Sequence, residues 1–256
     1  MATQPSDQYG VRRRRHAASG EYSAMTIADE LNRAIYGGSP FEGFDIESYP
    51  LDLQGWFDDT KIFDDAIDEI KPELIIEVGS WKGLSSHHLI QRALRHKDAS
   101  IVCIDTWLGS SEHWSSPEWR KMLNLRNGRP RLHEQFMANV IHAGLQNRVV
   151  PLPQPSRLAS VLLKKMKITA PLVFIDGAHD EASVREDINA YWPLVSPGGV
   201  MLGDDYHEHW SGLVKAVERF RAECAGEIER TENIGNRWLA RKRDTRNYLK
   251  KLAGWR

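Results

Sequence analysis

The chain has 256 residues, with 34 lysines and arginines against 35 aspartates and glutamates, for a formal net charge of -1. A balance this even leaves no global positive field to hold the protein on a phosphate backbone, so nucleic acid is not the expected partner. No apolar run approaches the roughly 20 residues of a membrane span, and the first residues lack the charged-then-apolar order of a secretory leader, so a cytoplasmic protein with no membrane partner is expected.

In chain order, residues 1–22 carry the run Arg12 to Arg15 and read as a flexible basic tail. Residues 23–70 form an N-terminal helical cap. Met25, Ile27, Ala28, Leu31, Ala34 and Ile35 keep helical spacing until GGSP stops it, and DDTKIFDDAIDEI reads as a second amphipathic helix with acids in its first turn. Between them lies an irregular aromatic-rich connection. Its Trp56 could reach over a ligand, but core packing is the expected role.

The main domain, 71–256, alternates apolar runs with helical patterns. LIIEV (74–78), SIVCI (100–104), RVVPL (148–152), PLVFI (171–175) and GVML (199–202) lack polar alternation, as strands covered on both faces do. Helical stretches near 84–95, 130–143, 156–166 and 181–194 separate them, and another spans roughly 211–224. GEIERTENIGNRWLARK then reads as an antiparallel hairpin turning at Asn233 to Asn236. The fold class is therefore α/β: a Rossmann-like, doubly wound, mostly parallel sheet of seven strands with a C-terminal hairpin, its strand carboxyl ends sharing one edge. Cys103, in an apolar run, and Cys224, in a helical pattern, are expected as buried thiols in a reducing compartment.

The segments just past the strand ends carry the functional signal. IIEVGSWKGLSS leads from a strand through Gly79 and Gly83 into a helix whose free N–H groups suit an anionic ligand. A dinucleotide fingerprint needs a glycine two positions after the first, and Trp81 stands there, which disfavours a pyrophosphate. Asp105 ends the next strand, near the spacing at which an acid meets ribose hydroxyls. Glu77, Gly79, Gly83 and Asp105 together suggest an adenosine ligand without a diphosphate.

On EVGSWKG (77–83), CIDTW (103–107), FIDGAH (174–179) and SPGG (196–199), the chain resembles the class I S-adenosylmethionine-dependent methyltransferases over about residues 54–240. That resemblance implies S-adenosyl-L-methionine as cofactor, bound by Glu77, Gly79, Ser80, Gly83, Ser85, Asp105, Thr106, Ser156 and Asp176. The glycine loop would face the amino-acid part, Asp105 the ribose and the region of Ser156 the adenine.

Asp176, His179, Asp204 and Asp205 come directly after the fourth and fifth strands. Three carboxylates at neighbouring strand ends repel one another unless a cation neutralises them, and a hard divalent ion such as Mg²⁺ takes such oxygen ligands. His179, three residues after Asp176, suits a general base near neutral pH. The Asp-x-x-His with a later Asp-Asp also resembles metal-dependent O-methyltransferases acting on sugars and related hydroxyls in natural-product biosynthesis, of the mycinamicin and macrocin type. That resemblance implies Asp176, Asp204 and Asp205 as metal ligands, His179 as base, a small hydroxylated acceptor and a homo-oligomer. The capping reading of Asp204 and Asp205 stays open. So do a nicotinamide-dependent oxidoreductase, a hydroxylase or accessory protein resembling those linked to cephalosporin hydroxylation, and a non-catalytic binding module. Trp107, His113, Trp114 and Trp119 give an acceptor wall or surface packing, and Tyr206, His207, His209 and Trp210 a second cluster placed for acceptor contact.

Overall fold

Every uninterrupted apolar run becomes a strand. The computed structural model describes residues 25–58 and 60–245, so the basic tail lies outside the described residues. The strands are β1 (Leu74–Val78), β2 (Ser100–Asp105), β3 (Val149–Pro153), β4 (Ala170–Ile175), β5 (Val195–Gly203), β6 (Ile228–Ile234) and β7 (Arg237–Lys242). They form one sheet in the order β3-β2-β1-β4-β5-β7-β6, parallel through β5, with β7 antiparallel to both β5 and β6. The hairpin turns where expected, Ile234 pairing with Arg237.

The winding reverses between β1 and β4, the switch point at which open α/β sheets bind ligands beyond their strand carboxyl ends. Register brings those ends level: Val78 pairs with both Ile104 and Ile175, and Ile175 with Gly203. Gly79, Asp105, Asp176 and Asp204 therefore leave the sheet side by side along one edge.

The helices are α1 (Ile27–Tyr36), α2 (Lys61–Ile70), α3 (Leu84–Leu94), α4 (Ser111–Ser115), α5 (Pro117–Met122), α6 (Leu132–His142), α7 (Ser156–Lys165), α8 (Glu181–Tyr191) and α9 (Ser211–Glu223). Alternate strand residues serve opposite layers, as the two-residue period of a strand demands. Ile76, Val78, Ile104, Val173, Ile175 and Met201 pack with α1, α7, α8 and α9. Ile75, Cys103, Leu172, Phe174, Val200 and Leu202 pack with α2, α3 and α6.

Thr26 caps α1 by accepting from the Asp29 N–H, and Gly37 ends it at φ +81°. The helix shields the sheet edge: Asn32 Nδ2 donates to the Val149 carbonyl at 3.0 Å and the Tyr36 hydroxyl donates to that of Pro151. Three features depart from the sequence reading. The helix expected to reach residue 194 leaves the α form at Tyr191 and ends in a 3₁₀ turn at Trp192–Leu194, because Pro193 supplies no N–H. The connection after β2 folds into α4 and α5. Cys103 is buried but Cys224 caps α9 half-buried, and both thiols are free.

Candidate active site

The loop after β1 is shaped by close approach. Gly79 lies at φ +89°, and a Cβ there would sit 1.8 Å from the backbone oxygen of Asp176, so neither its conformation nor its space admits a side chain. Gly83, at φ +88°, opens α3 against Phe136.

Two carboxylates hold this loop from beneath. Glu77 is wholly buried and accepts from the Ser80 and Ser85 hydroxyls, each at 2.7 Å, and from that of Ser86. Burial pushes its carboxyl pKa up while the three hydroxyls pull it down. Asp105 accepts from the backbone N–H groups of Ser80 (3.1 Å), Trp81 (2.9 Å) and Trp107 (2.7 Å). Burial raises its pKa against those donors. The N–H groups of Ser80 and Trp81 that a pyrophosphate would need are thus bonded to Asp105 instead.

Trp81 (φ +46°) and Trp107 (φ +52°) adopt left-handed backbone, which costs a bulky residue about 1–2 kcal/mol and persists where surroundings over-determine it. Trp107 is buried below the loop, and its indole N–H donates to the Trp81 carbonyl at 2.6 Å. Of the remaining residues expected at the cofactor, Thr106 accepts from the Leu108 N–H through its hydroxyl at 3.3 Å. Ser156 opens α7; its hydroxyl donates to Asp187 and its carbonyl accepts from Tyr191 at 2.6 Å.

Beyond β4 and β5, Asp176, Gly177, His179, Asp204 and Asp205 line one pocket. His179 Nε2 lies 2.9 Å from Asp205 Oδ2, and its ring stacks on Trp210, centroids 4.0 Å apart at 20°. Asp205 holds φ +60° at this position, a third left-handed non-glycine residue at the edge after Trp81 and Trp107. Burial pushes the Asp176 carboxyl well above the usual range, and the charges of Asp204 and Asp205 push it further. Asp204 is also raised by burial, against the N–H of Asp205 at 2.8 Å and Arg237 at 3.3 Å.

Arg237, on β7, is buried and also meets Asp58 at 2.9 Å. Nothing in the sequence singles it out, because the hairpin brings it to the edge from a strand remote from every motif. Among the described residues, no three histidine, cysteine, aspartate or glutamate side chains gather closely enough to hold a metal ion. Asp176, Asp204 and Asp205 offer the oxygen ligands a hard divalent ion takes, and the charges of Asp204 and Asp205 add to the burial that raises the Asp176 pKa.

The second cluster splits in role. Trp210 supports His179, whereas the Tyr206 hydroxyl donates to Glu218 at 2.7 Å, away from the pocket. Trp56 corrects the expectation of core packing, being 55% exposed. Asn139 holds its segment out over the glycine loop, donating to the carbonyls of Asp52 (2.7 Å) and Lys82 (2.8 Å), while Lys82 pairs with Asp52 at 2.6 Å.

A family model described as a methyltransferase domain matches residues 76–206, from within β1 to just past the Asp-Asp pair. The chain belongs to the methyltransferase domain family. That span takes in the glycine loop, Asp105 and the whole pocket beyond β4 and β5. No curated protein matches the sequence.

Solved structures with the same fold include the O-methyltransferase TomG from Streptomyces achromogenes, involved in tomaymycin synthesis and solved with SAM. It shows TM-score 0.54 and 17% identity over 88% of this chain and 91% of its own. An O-methyltransferase from Bacillus cereus in complex with SAH gives TM-score 0.51 and 16% identity over 85% and 98%. The calicheamicin methyltransferase CalS11 gives 0.52 and 16% over 72% and 78%. At such identities the likeness is one of fold. No helix among the described residues is long and apolar enough to cross a membrane.

Proposed function

We propose that this methyltransferase-family protein transfers a methyl group from S-adenosyl-L-methionine to a hydroxyl of a small molecule, a sugar or other natural-product acceptor, in the cytoplasm. The observation that carries the choice of donor is the bonding of the Ser80 and Trp81 N–H groups to Asp105, which leaves the glycine loop shaped for an adenosine without a diphosphate. The same bonding weighs against the nicotinamide reading. The solved O-methyltransferases with this fold that carry SAM or SAH support the donor, and TomG and CalS11 support the acceptor class.

When bound, the donor supplies an electrophilic methyl on a sulfonium. The chain's part is orientation and proton removal. Asp105 faces the ribose, and Gly79 lets the loop approach. His179, fixed between Asp205 and Trp210, takes the acceptor hydroxyl proton on a ring nitrogen, with Asp205 orienting the imidazole and stabilising the imidazolium. Asp176, Asp204 and Asp205 would hold a divalent ion such as Mg²⁺, which would lower the pKa of an acceptor hydroxyl. In the structure Asp205 faces His179 and Asp204 faces Arg237, so the ion competes for both.

The test is methyl transfer from labelled S-adenosylmethionine to a panel of glycosides and phenols, with Mg²⁺ and with EDTA. Labelled ether product that falls when His179 is replaced supports the reading. A protein that transfers no methyl group but, with bound iron, consumes 2-oxoglutarate and O₂ would establish the hydroxylase alternative.

A further inference from the structure

The connection after β2 builds an aromatic surface against the glycine loop. The His113 ring, on α4, stacks on Trp81 of the glycine loop, centroids 4.5 Å apart at 26°. Trp56 and Trp119 flank the pair: Trp56 lies 5.8 Å from Trp81 and 5.9 Å from Trp119, and Trp119 lies 5.5 Å from His113. These separations suit tilted and offset aromatic contact, yet Trp56 is 55% and Trp119 37% exposed, so each presents a ring to the outside.

Two further observations point the surface into the site. His113 Nδ1 accepts from the Ser110 N–H at 3.2 Å, which places the ring proton on Nε2, and Nε2 is buried with no hydrogen-bond partner. Burial pushes the His113 pKa down, Glu112 and Asp105 pull it up, and His179 pushes it down again, so the ring lies within electrostatic reach of both the ribose-side acid and the base. Glu112 is held low chiefly by the Ser110 hydroxyl, with a smaller contribution from the charge of His179. The platform is therefore continuous with the glycine loop through the stack of His113 on Trp81, and His113 feels the charge of His179.

We infer that Trp56, Trp119 and His113 form the acceptor subsite: a ring of the acceptor lies on the Trp56 and Trp119 faces while the His113 Nε2–H donates to an oxygen on it. This deepens the methyl-transfer reading and rests on it. Two sources share the required chemistry, a flat or C–H-rich ring face with an adjacent oxygen: an aromatic ring and a sugar ring. An open-chain diol could reach the His179 pocket but would gain nothing from the platform.

Saturation-transfer NMR on the full chain, with and without S-adenosylhomocysteine, tests this using catechol, methyl β-D-glucopyranoside and glycerol as probes. One ring probe is expected to take saturation and glycerol not; which ring does so identifies the source. Trp56→Ala and Trp119→Ala should weaken that probe about fivefold or more, and His113→Phe, which keeps the stack and removes the donor, should weaken it too. S-adenosylhomocysteine affinity and melting temperature should stay at wild-type values, which shows that each variant is folded.

Equal binding of all three probes, or unchanged affinity in the variants, overturns the subsite. So does a change of oligomeric state by light scattering in Trp56→Ala or Trp119→Ala, since the platform would then be a contact between copies of this chain. Because the probes are read by binding, loss of the subsite with donor binding intact is distinct from failure of the methyl-transfer reading itself.

Discussion

Asp187 offers a stability prediction that does not depend on the acceptor. It is buried on α8, accepts from the Ser156 hydroxyl that opens α7, and lies under Gly177, where an added Cβ would be 3.2 Å from its Oδ2. Burial raises its pKa from 3.8 to about 6. For an acid raised in the fold, the cost is absent below the unfolded pKa, grows as pH rises toward the folded pKa, and is constant above it. The gap corresponds to about 3 kcal/mol once both states ionise and about half that at pH 5.

Asp187→Asn removes the charge and keeps an oxygen for Ser156. Its advantage over wild type should therefore grow between pH 5 and pH 8 by about 1.5 kcal/mol, or about 3–6 °C in melting temperature for a domain of this size. Paired thermal denaturation curves at pH 5, 6, 7 and 8 read it directly. A variant less stable by the same amount at every pH would show that the ionised carboxylate and its Ser156 bond stabilise the fold, and would refute the reasoning.

Four further outcomes are expected at the site. Gly79→Ala must push the loop off the Asp176 backbone, so donor affinity should fall by about tenfold or more in calorimetry; unchanged affinity would remove the loop from the donor site. His179→Ala should lower turnover by about 10²–10⁴-fold in initial-rate assays while donor affinity holds, and turnover at the wild-type rate would dismiss it as the base. Asp204→Asn should reduce stimulation by Mg²⁺ more than donor affinity, whereas equal loss of both would assign Asp204 to folding. Arg237→Met leaves the buried Asp204 without its guanidinium and should cost about 3 kcal/mol in denaturant titrations; no loss would mean that Asp204 is neutral in the fold.

The sheet was legible because its strands are covered on both faces. Five apolar runs of strand length separated by helical periods leave little choice of topology, and the turn at Asn233 to Asn236 announced the hairpin. The edge residues were legible for a related reason: an acid or glycine immediately after a buried strand has few structural uses there, so Gly79, Asp105, Asp176 and Asp204 stood out. Distance along the chain hid the rest. Arg237 reaches Asp204 only because β7 inserts between β5 and β6. The stack of His113 on Trp81 joins α4 to the glycine loop, more than 30 residues apart in sequence, and the bond from Asn139, on α6, to the segment before Trp56 spans a still greater separation. Contacts of this kind arise from tertiary closure and leave no local periodic signal.

The loop N–H groups turned to Asp105 are central, because they choose between a sulfonium adenosine and a dinucleotide. Calorimetric titration of S-adenosylmethionine and of NAD into the purified chain, each with Mg²⁺ and with EDTA, tests that choice most directly. Saturable one-site binding of S-adenosylmethionine under both conditions and none of NAD is the expected result. Binding of NAD alone would contradict it.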